Sequence, residues 1–379
     1  MENKKEKKIG IISLNTHTFY HNYGAIMHSY AFQTFLNKNK IENEIIDYTP
    51  PMLEGWNLDA PWKSLLSKKF GIKKSFLKYF VLQIPYKIRK DKIDNFIKTK
   101  MILSNDKYTH SSLKNADLKY ETMICESDVI WSNGFWDDAY FLAFENMKNS
   151  KKIAYSPSMA DCNLSEDKLK KLPNLLDKLD YISGRESYEC EILKKYTKKP
   201  VKHVCDPVFL LEQNDYNPII SPRLIKKPYL LLYLPADNNK YLRKCAYKYA
   251  KKHSLKVIEI DSRLNVKLTH KSIITAGIEE FLSLIKYADV CFTNSFHAVC
   301  FCIIFQREFY TFTRNTRGKI EDILKTLNLN ERFIENNFEE KKAIDYTSVN
   351  LILEEWKKTC KEWIINAILD NNTADMEEN

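Results

Sequence analysis

The chain has 379 residues, 44% of them hydrophobic and 13% aromatic, and a formal net charge of +10. This composition supports packed cores and excludes disorder, and the length is more than one core usually fills, so two domains are expected. No apolar run is long enough to span a membrane, and the nine cysteines show neither Cys-x-x-Cys nor a metal-like histidine cluster, which favours reduced core thiols.

The N-terminus is charged and opens directly into an apolar run, with no signal-peptide core, so a cytoplasmic protein is expected. Residues 9–14 read as a buried strand. A polar loop follows, then helical periodicity from 24 to 38 through Ala25, Ile26, Tyr30, Phe32, Phe35 and Leu36. Residues 44–48 give a second strand, and the three together predict a parallel pair with a right-handed crossover. Between residues 63 and 100 stand eleven Lys and one Arg against Asp91 and Asp94, a net of +10 that accounts for the whole imbalance. Interleaved apolar residues there allow amphipathic helices. An anionic membrane surface is one partner for them, and a solvated lysine-rich face is the plain alternative. Nucleic acid is not expected, because no recognised binding module accompanies the patch.

The β/α rhythm then resumes. Residues 123–125, 153–156 and 181–183 read as strands, 165–179 and 185–196 as helices, and 202–204 leads to Asp206-Pro207. The proline-bearing stretch 212–228 is the best linker. Beyond it lie strands at 229–234, 256–260 and 308–313, helices at 240–252, 278–287 and 320–327, and a last amphipathic helix at 348–369.

Residues 288–305 carry the strongest functional signal. A strand ends in the polar turn 294–297 and an apolar helix starts at once, with Asn294 or Ser295 at its N-cap and His297 in its first turn. Unpaired N–H groups and the positive end of the helix dipole favour an anion there, and histidine adds a group that titrates near neutral pH. Strand carboxyl ends are where open α/β sheets bind ligands. Asn22-Tyr23-Gly24 has the same setting after the first strand. Gly24 can bring backbone close to a ligand with Asn22 as a polar contact, or it can serve a tight turn. Ser183-Gly184-Arg185-Glu186 again opens a helix, and Arg185 can fork onto a carboxylate or phosphate, or pair with Glu186 or Glu189. Arg314, Arg317 and Lys319 form a further basic loop suited to phosphate or to solvent. With 8 glycines and no G-x-G-x-x-G, P-loop, G-x-S-x-G or His-Glu-x-x-His, dinucleotide, P-loop, serine-hydrolase and zincin chemistry are disfavoured.

Together these pieces resemble the polysaccharide pyruvyl transferase family. Asn22-Tyr-Gly-Ala-Ile-Met-His-Ser-Tyr-Ala-Phe-Gln is similar to its first-helix signature, and Ser127-Asp128-Val-Ile-Trp131 to its Ser-Asp-Gln-x-Trp stretch. Tyr140-Phe-Leu-Ala-Phe144, Lys152-Ile-Ala-Tyr-Ser156, Ser183-Gly-Arg-Glu186, Asp206-Pro207 and Ser295-Phe-His297 occur in the family's order. Val129, Ser132 and Ala298 stand where the family usually has Gln, Asn and Gly, and the Ala298 methyl would crowd a phosphate resting on that N–H.

The resemblance implies an α/β fold of two Rossmann-like doubly wound domains facing a cleft, like two-domain glycosyltransferases. The expected boundaries are 1–215 with the basic helical insertion 60–100, then 216–338, then a helix in 339–379 packing back on the first domain before a disordered tail. It also implies transfer of the pyruvyl group of phosphoenolpyruvate onto two hydroxyls of a sugar, as a cyclic ketal, in a cell-surface polysaccharide or its lipid-linked precursor. His297 and Arg185 would be catalytic, and Asn22, Tyr23, Gly24, Asp128, Ser295, Arg317 and Lys319 would bind substrate, with no metal or organic cofactor. The expected partners are phosphoenolpyruvate, a glycan or lipid-linked oligosaccharide, and an anionic membrane touched peripherally at the inner face. The alternatives are a nucleotide-sugar glycosyltransferase and a non-catalytic glycan or lipid-carrier binding protein.

Overall fold

The structure, a computed structural model, describes residues 8–15, 22–54, 72–160, 163–235, 239–260, 271–312 and 317–370, and their side chains except at 72–83, 271 and 317. Short runs of Ile, Val, Leu and Tyr form its strands, and those at the centre of each sheet are buried along their length, as parallel strands covered on both faces must be.

The first unit runs β1 (Ile9–Ile12), α1 (Tyr23–Lys38), β2 (Asn43–Thr49), α2 (Ile72–Lys100), β3 (Leu103–Thr109), α3 (His110–Lys114), β4 (Thr122–Glu126), β5 (Lys151–Tyr155), α4 (Glu166–Leu176), β6 (Tyr181–Gly184), α5 (Ser187–Leu193) and β7 (Val201–His203). Its strands make one parallel sheet in the order β3-β2-β1-β4-β5-β6-β7. The second unit runs β8 (Tyr229–Tyr233), α6 (Lys240–Lys252), β9 (Lys256–Ile260), β10 (Lys271–Ile273), α7 (Ile278–Lys286), β11 (Val290–Thr293), α8 (Phe296–Ile304), β12 (Glu308–Thr311) and α9 (Arg317–Thr326). Its parallel sheet has the order β10-β9-β8-β11-β12. Both sheets are Rossmann-like and doubly wound, and in each the order reverses beside the first strand, between β1 and β4 and between β8 and β11.

Two strands escape the sequence pattern. β3 (Leu-Ser-Asn-Asp-Lys-Tyr-Thr) and β10 (Lys-Ser-Ile) are polar edge strands, where one side of the ladder needs no apolar cover. The segment expected as a linker at 212–228 is partly packed, with Tyr216 buried and its hydroxyl donating to Val208 O at 2.7 Å. Of the basic segment, residues 60–71 lie outside the described residues, and from Ile72 it forms one long helix with Pro85 inside. From residue 84 onward Tyr86, Arg89, Ile93 and Phe96 turn inward, and Ile84 and Ile88 are exposed.

One hydrophobic core runs through both units. It joins Ile124 and Ile153 of the first sheet to Leu231, Ile258 and Cys291 of the second through α1, α7 and α8. Every residue of α8 is buried, as expected for a helix apolar on all sides. A last helix, α10 (Tyr346–Leu369), returns to the first sheet. Cys205 N donates to Cys360 Sγ at 3.2 Å, and Lys151 Nζ donates to the carbonyls of Ala367 (3.1 Å) and Ile368 (2.8 Å). Among the described residues eight cysteines are buried and free, and no helix is long and apolar enough to cross a membrane.

Candidate active site

The carboxyl ends of β4 and β11 and the first turns of α1 and α8 meet where the two units face each other. At α8, Ser295 is the N-cap, and its Oγ accepts from Ala298 N at 3.4 Å. His297 follows in the first turn with its ring buried. That ring rests on Gly24: a Cβ at Gly24 would lie 2.1 Å from His297 Nδ1. Gly24 is thus glycine because an imidazole occupies the space of its missing side chain. Its N–H donates to Oδ1 of Asn22, the N-cap of α1, at 3.1 Å.

A buried charge network surrounds the histidine. Beyond β4 the backbone passes through Ser127 (φ 48°) and Asp128 (φ 51°), two consecutive non-glycine residues in the left-handed region, a strain that clusters at functional sites. Asp206 Oδ2 accepts from Arg185 Nη1 at 2.9 Å and from Ser127 Oγ at 3.1 Å, and its Oδ1 accepts from Val208 N at 3.1 Å. His297 Nε2 is 3.4 Å from Asp206 Oδ2 but lacks the alignment of a hydrogen bond. Arg185 Nε donates to Glu186 Oε1 at 3.0 Å, Ser158 Oγ donates to the same oxygen at 3.0 Å, and the guanidinium lies 4.5 Å from the Phe296 ring centre. A second histidine, His28, sits fully buried with Nδ1 3.0 and 3.2 Å from the two Glu126 oxygens and Nε2 3.9 Å from Asp128 Oδ2. Its ring lies 5.8 Å from that of His297, at 26°.

Three nitrogen atoms of this network, Arg185 Nη2, His28 Nε2 and His297 Nε2, are buried with no hydrogen-bond partner among the described residues. Buried polar groups are rarely left so without a functional reason, and these three stand around the same two aspartates. Burial works to raise the carboxyl pKa of Asp206, but His297, Arg185 and His28 outweigh it and hold the group far below the usual range. Asp128 is likewise held down against burial by His28, Lys319, His297 and Arg185. Burial pushes His297 down, and burial followed by Arg185 does the same to Lys319, which stands in the first turn of α9. Among the described residues no three of His, Cys, Asp and Glu converge as a metal site would require.

His297, Arg185, Gly24, Asp128 and Lys319, read separately from the sequence, are brought together by direct contact or by their charges. Ser295 and Asn22 serve as helix caps at the margin, Asn22 exposed. Tyr23 has a different part from the one expected: its ring is fully buried, stacked 4.5 Å from Phe281, and its hydroxyl donates to Ala276 O at 2.7 Å, so it ties the units together. The side chain of Arg317 lies outside the described residues, as do Arg314 and the loop histidines His17 and His21. The crowding expected from Ala298 is also corrected, since its N–H already donates to Ser295. Sequence reasoning gave no role to His28, Glu126 or Asp206. One signal was available for His28, four residues after Gly24 and hence on the same helix face.

The family model of the polysaccharide pyruvyl transferases matches residues 22–316, well over half of the chain. The chain belongs to the polysaccharide pyruvyl transferase family. The pyruvyl transferase match takes in the network from Asn22 to His297 and stops just short of Lys319. Among solved structures, the chain is similar to the UDP-GlcNAc 2-epimerase of Methanocaldococcus jannaschii (12% identity, 95% of this chain and 99% of that one, TM-score 0.47). It is also similar to the UDP-GlcNAc 2-epimerase of Neisseria meningitidis (9%, 96% and 100%, 0.44) and to E. coli heptosyltransferase WaaC (10%, 92% and 99%, 0.39). No curated protein matches significantly.

Proposed function

We propose that this chain transfers the pyruvyl group of phosphoenolpyruvate onto two hydroxyls of a sugar in a cell-surface polysaccharide or its lipid-linked precursor, forming a cyclic ketal. The observation that carries the reading is the trio of unpartnered buried atoms, on Arg185, His28 and His297, where the carboxyl ends of the two sheets meet within the family match. Phosphoenolpyruvate brings a carboxylate and a phosphate ester on a small enol. Arg185 Nη2, Lys319 and the first-turn N–H groups of α8 supply donors and positive potential for those charges. Protonation of the methylene carbon makes C2 electrophilic, and one sugar hydroxyl adds there and gives up its proton, which replaces the one delivered to carbon. Phosphate leaves with the electron pair of its C2–O bond, and a second hydroxyl closes the ring and gives up its proton to the departing phosphate. His297, pushed toward its neutral form by burial, is suited to take the hydroxyl proton.

The test is phosphate release from phosphoenolpyruvate over a panel of lipid-linked glycans. Acceptor-dependent release that falls by about 10²-fold or more in His297→Ala is expected. Absence of phosphoenolpyruvate binding by calorimetry, or an unimpaired His297→Ala protein, overturns the reading. On the same reading, the basic segment 63–100, with Ile84 and Ile88 exposed on α2, touches the anionic surface that holds the acceptor. Sedimentation with anionic vesicles checks this, and charge neutralisation of the segment should abolish it.

A further inference from the structure

His28 takes no part in the steps above, yet it lies fully buried beside the residue assigned the proton transfer. Gly24 gives the ring of His297 room to settle on α1, and one turn later the same helix face presents His28. Glu126 grips His28 Nδ1 with both oxygens and accepts from Ser29 Oγ as well. The other ring nitrogen of His28, without a hydrogen-bond partner, is nearest to Asp128.

From this arrangement we infer that His28 is a positioning residue: an imidazolium anchored by Glu126 that keeps the adjacent His297 neutral and able to act as a base. The inference rests on the reading of His297 as the proton-transfer group. Two buried, nearly parallel imidazoles 5.8 Å apart cannot both carry charge cheaply, so the first proton goes to the ring with the better partner. Geometry selects His28. Glu126 holds it at hydrogen-bond distance, whereas Asp206, the carboxylate beside His297, is already taken by Arg185 and Ser127 and is misaligned for the ring.

The charges around the pair favour the same order, although burial pushes the Glu126 carboxyl up against the pull of His28 and Ser29. His28 faces Glu126, Asp128 and Asp206. Burial alone would lower its pKa, but Glu126 followed by the two aspartates raises it above the ordinary histidine value. His297 faces Asp206, Asp128 and His28. Burial lowers its pKa most, the aspartates oppose this, and His28 adds to the lowering. Arg185 and Lys319 act on Asp128 from the turn before α5 and from α9. A neighbouring pair whose environments push protonation in opposite directions is the usual form of an acid–base assignment.

The test is a histidine side-chain titration by NMR of ¹⁵N-histidine-labelled full-length protein, with resonances assigned by their loss in His28→Gln and His297→Gln. In the unsubstituted protein His28 should titrate at higher pH than His297, and in His28→Gln the His297 midpoint should move upward, because a positive neighbour has gone. In the active enzyme the acid limb of the kcat/KM profile should move upward with it. A midpoint for His297 at or above that of His28, or one that stays put in folded His28→Gln, overturns the inference. If His28→Gln does not fold, the His28 ring is assigned instead by its nuclear Overhauser contacts to Ser29, and the order of the two midpoints in the unsubstituted protein still decides. The titration needs no substrate, so failure of the transferase reading shows in the phosphate assay and failure of this inference shows in the spectrum.

Discussion

Contact between Gly24 and His297 makes one prediction sharp. In Gly24→Ala the new methyl would meet the imidazole at a distance no packing tolerates, so the ring must leave its place against α1. Alanine is otherwise the better helix residue, but displacing a buried ring costs about 1–3 kcal/mol, so the variant should fold with a lowered Tm while acceptor-dependent phosphate release falls by about 10²-fold. Ala298→Gly should behave in the opposite way. The N–H of residue 298 is already used by the Ser295 cap, so glycine would leave kcat/KM unchanged and cost about 1 kcal/mol of stability by denaturant titration. What could be read from the sequence at this scale was position relative to strand ends, which placed Gly24, Arg185 and His297 correctly at the carboxyl edge. What could not be read was pairing across distance. Glu126 lies 98 residues from His28, and nothing local to either residue marks them as partners.

At the scale of elements, the strand runs and the amphipathic helices follow directly from apolar periodicity, because burial on two faces or one leaves a strong pattern. The polar edge strands β3 and β10 leave none. α10 was legible as a helix, whereas its attachment depends on a lysine far away in sequence. Lys151 caps the last turn, with its ammonium on the Ala367 and Ile368 carbonyls, and Tyr181 donates to Asp370 at 2.7 Å just beyond. A cation at a helix C-terminus in partly buried surroundings contributes up to about 2 kcal/mol. Lys151→Ala should therefore cost about 1–2 kcal/mol and raise hydrogen exchange selectively in the last turn of α10, as read by mass spectrometry. Unchanged exchange there would show that packing at Cys360 and Ile364 suffices.

The two units repeat one strand order and meet at their reversal points, and besides a core of its own each contributes to one core that runs between them through α1, α7 and α8. Heating should therefore give one cooperative calorimetric transition. Two resolved transitions would mean that the shared core breaks before either sheet. Tyr23 belongs to this level: read as a substrate contact, it proves to be a strut, because its ring stacks on α7 and its hydroxyl reaches the loop before that helix. The return of α10 to the first sheet carries a consequence for synthesis. During translation the first sheet emerges well before the helix that covers Cys205 and holds the end of Lys151. The nascent first unit must wait, one face only partly covered by α1, while some 140 further residues leave the ribosome, so its maturation is set by the later-made part of the chain.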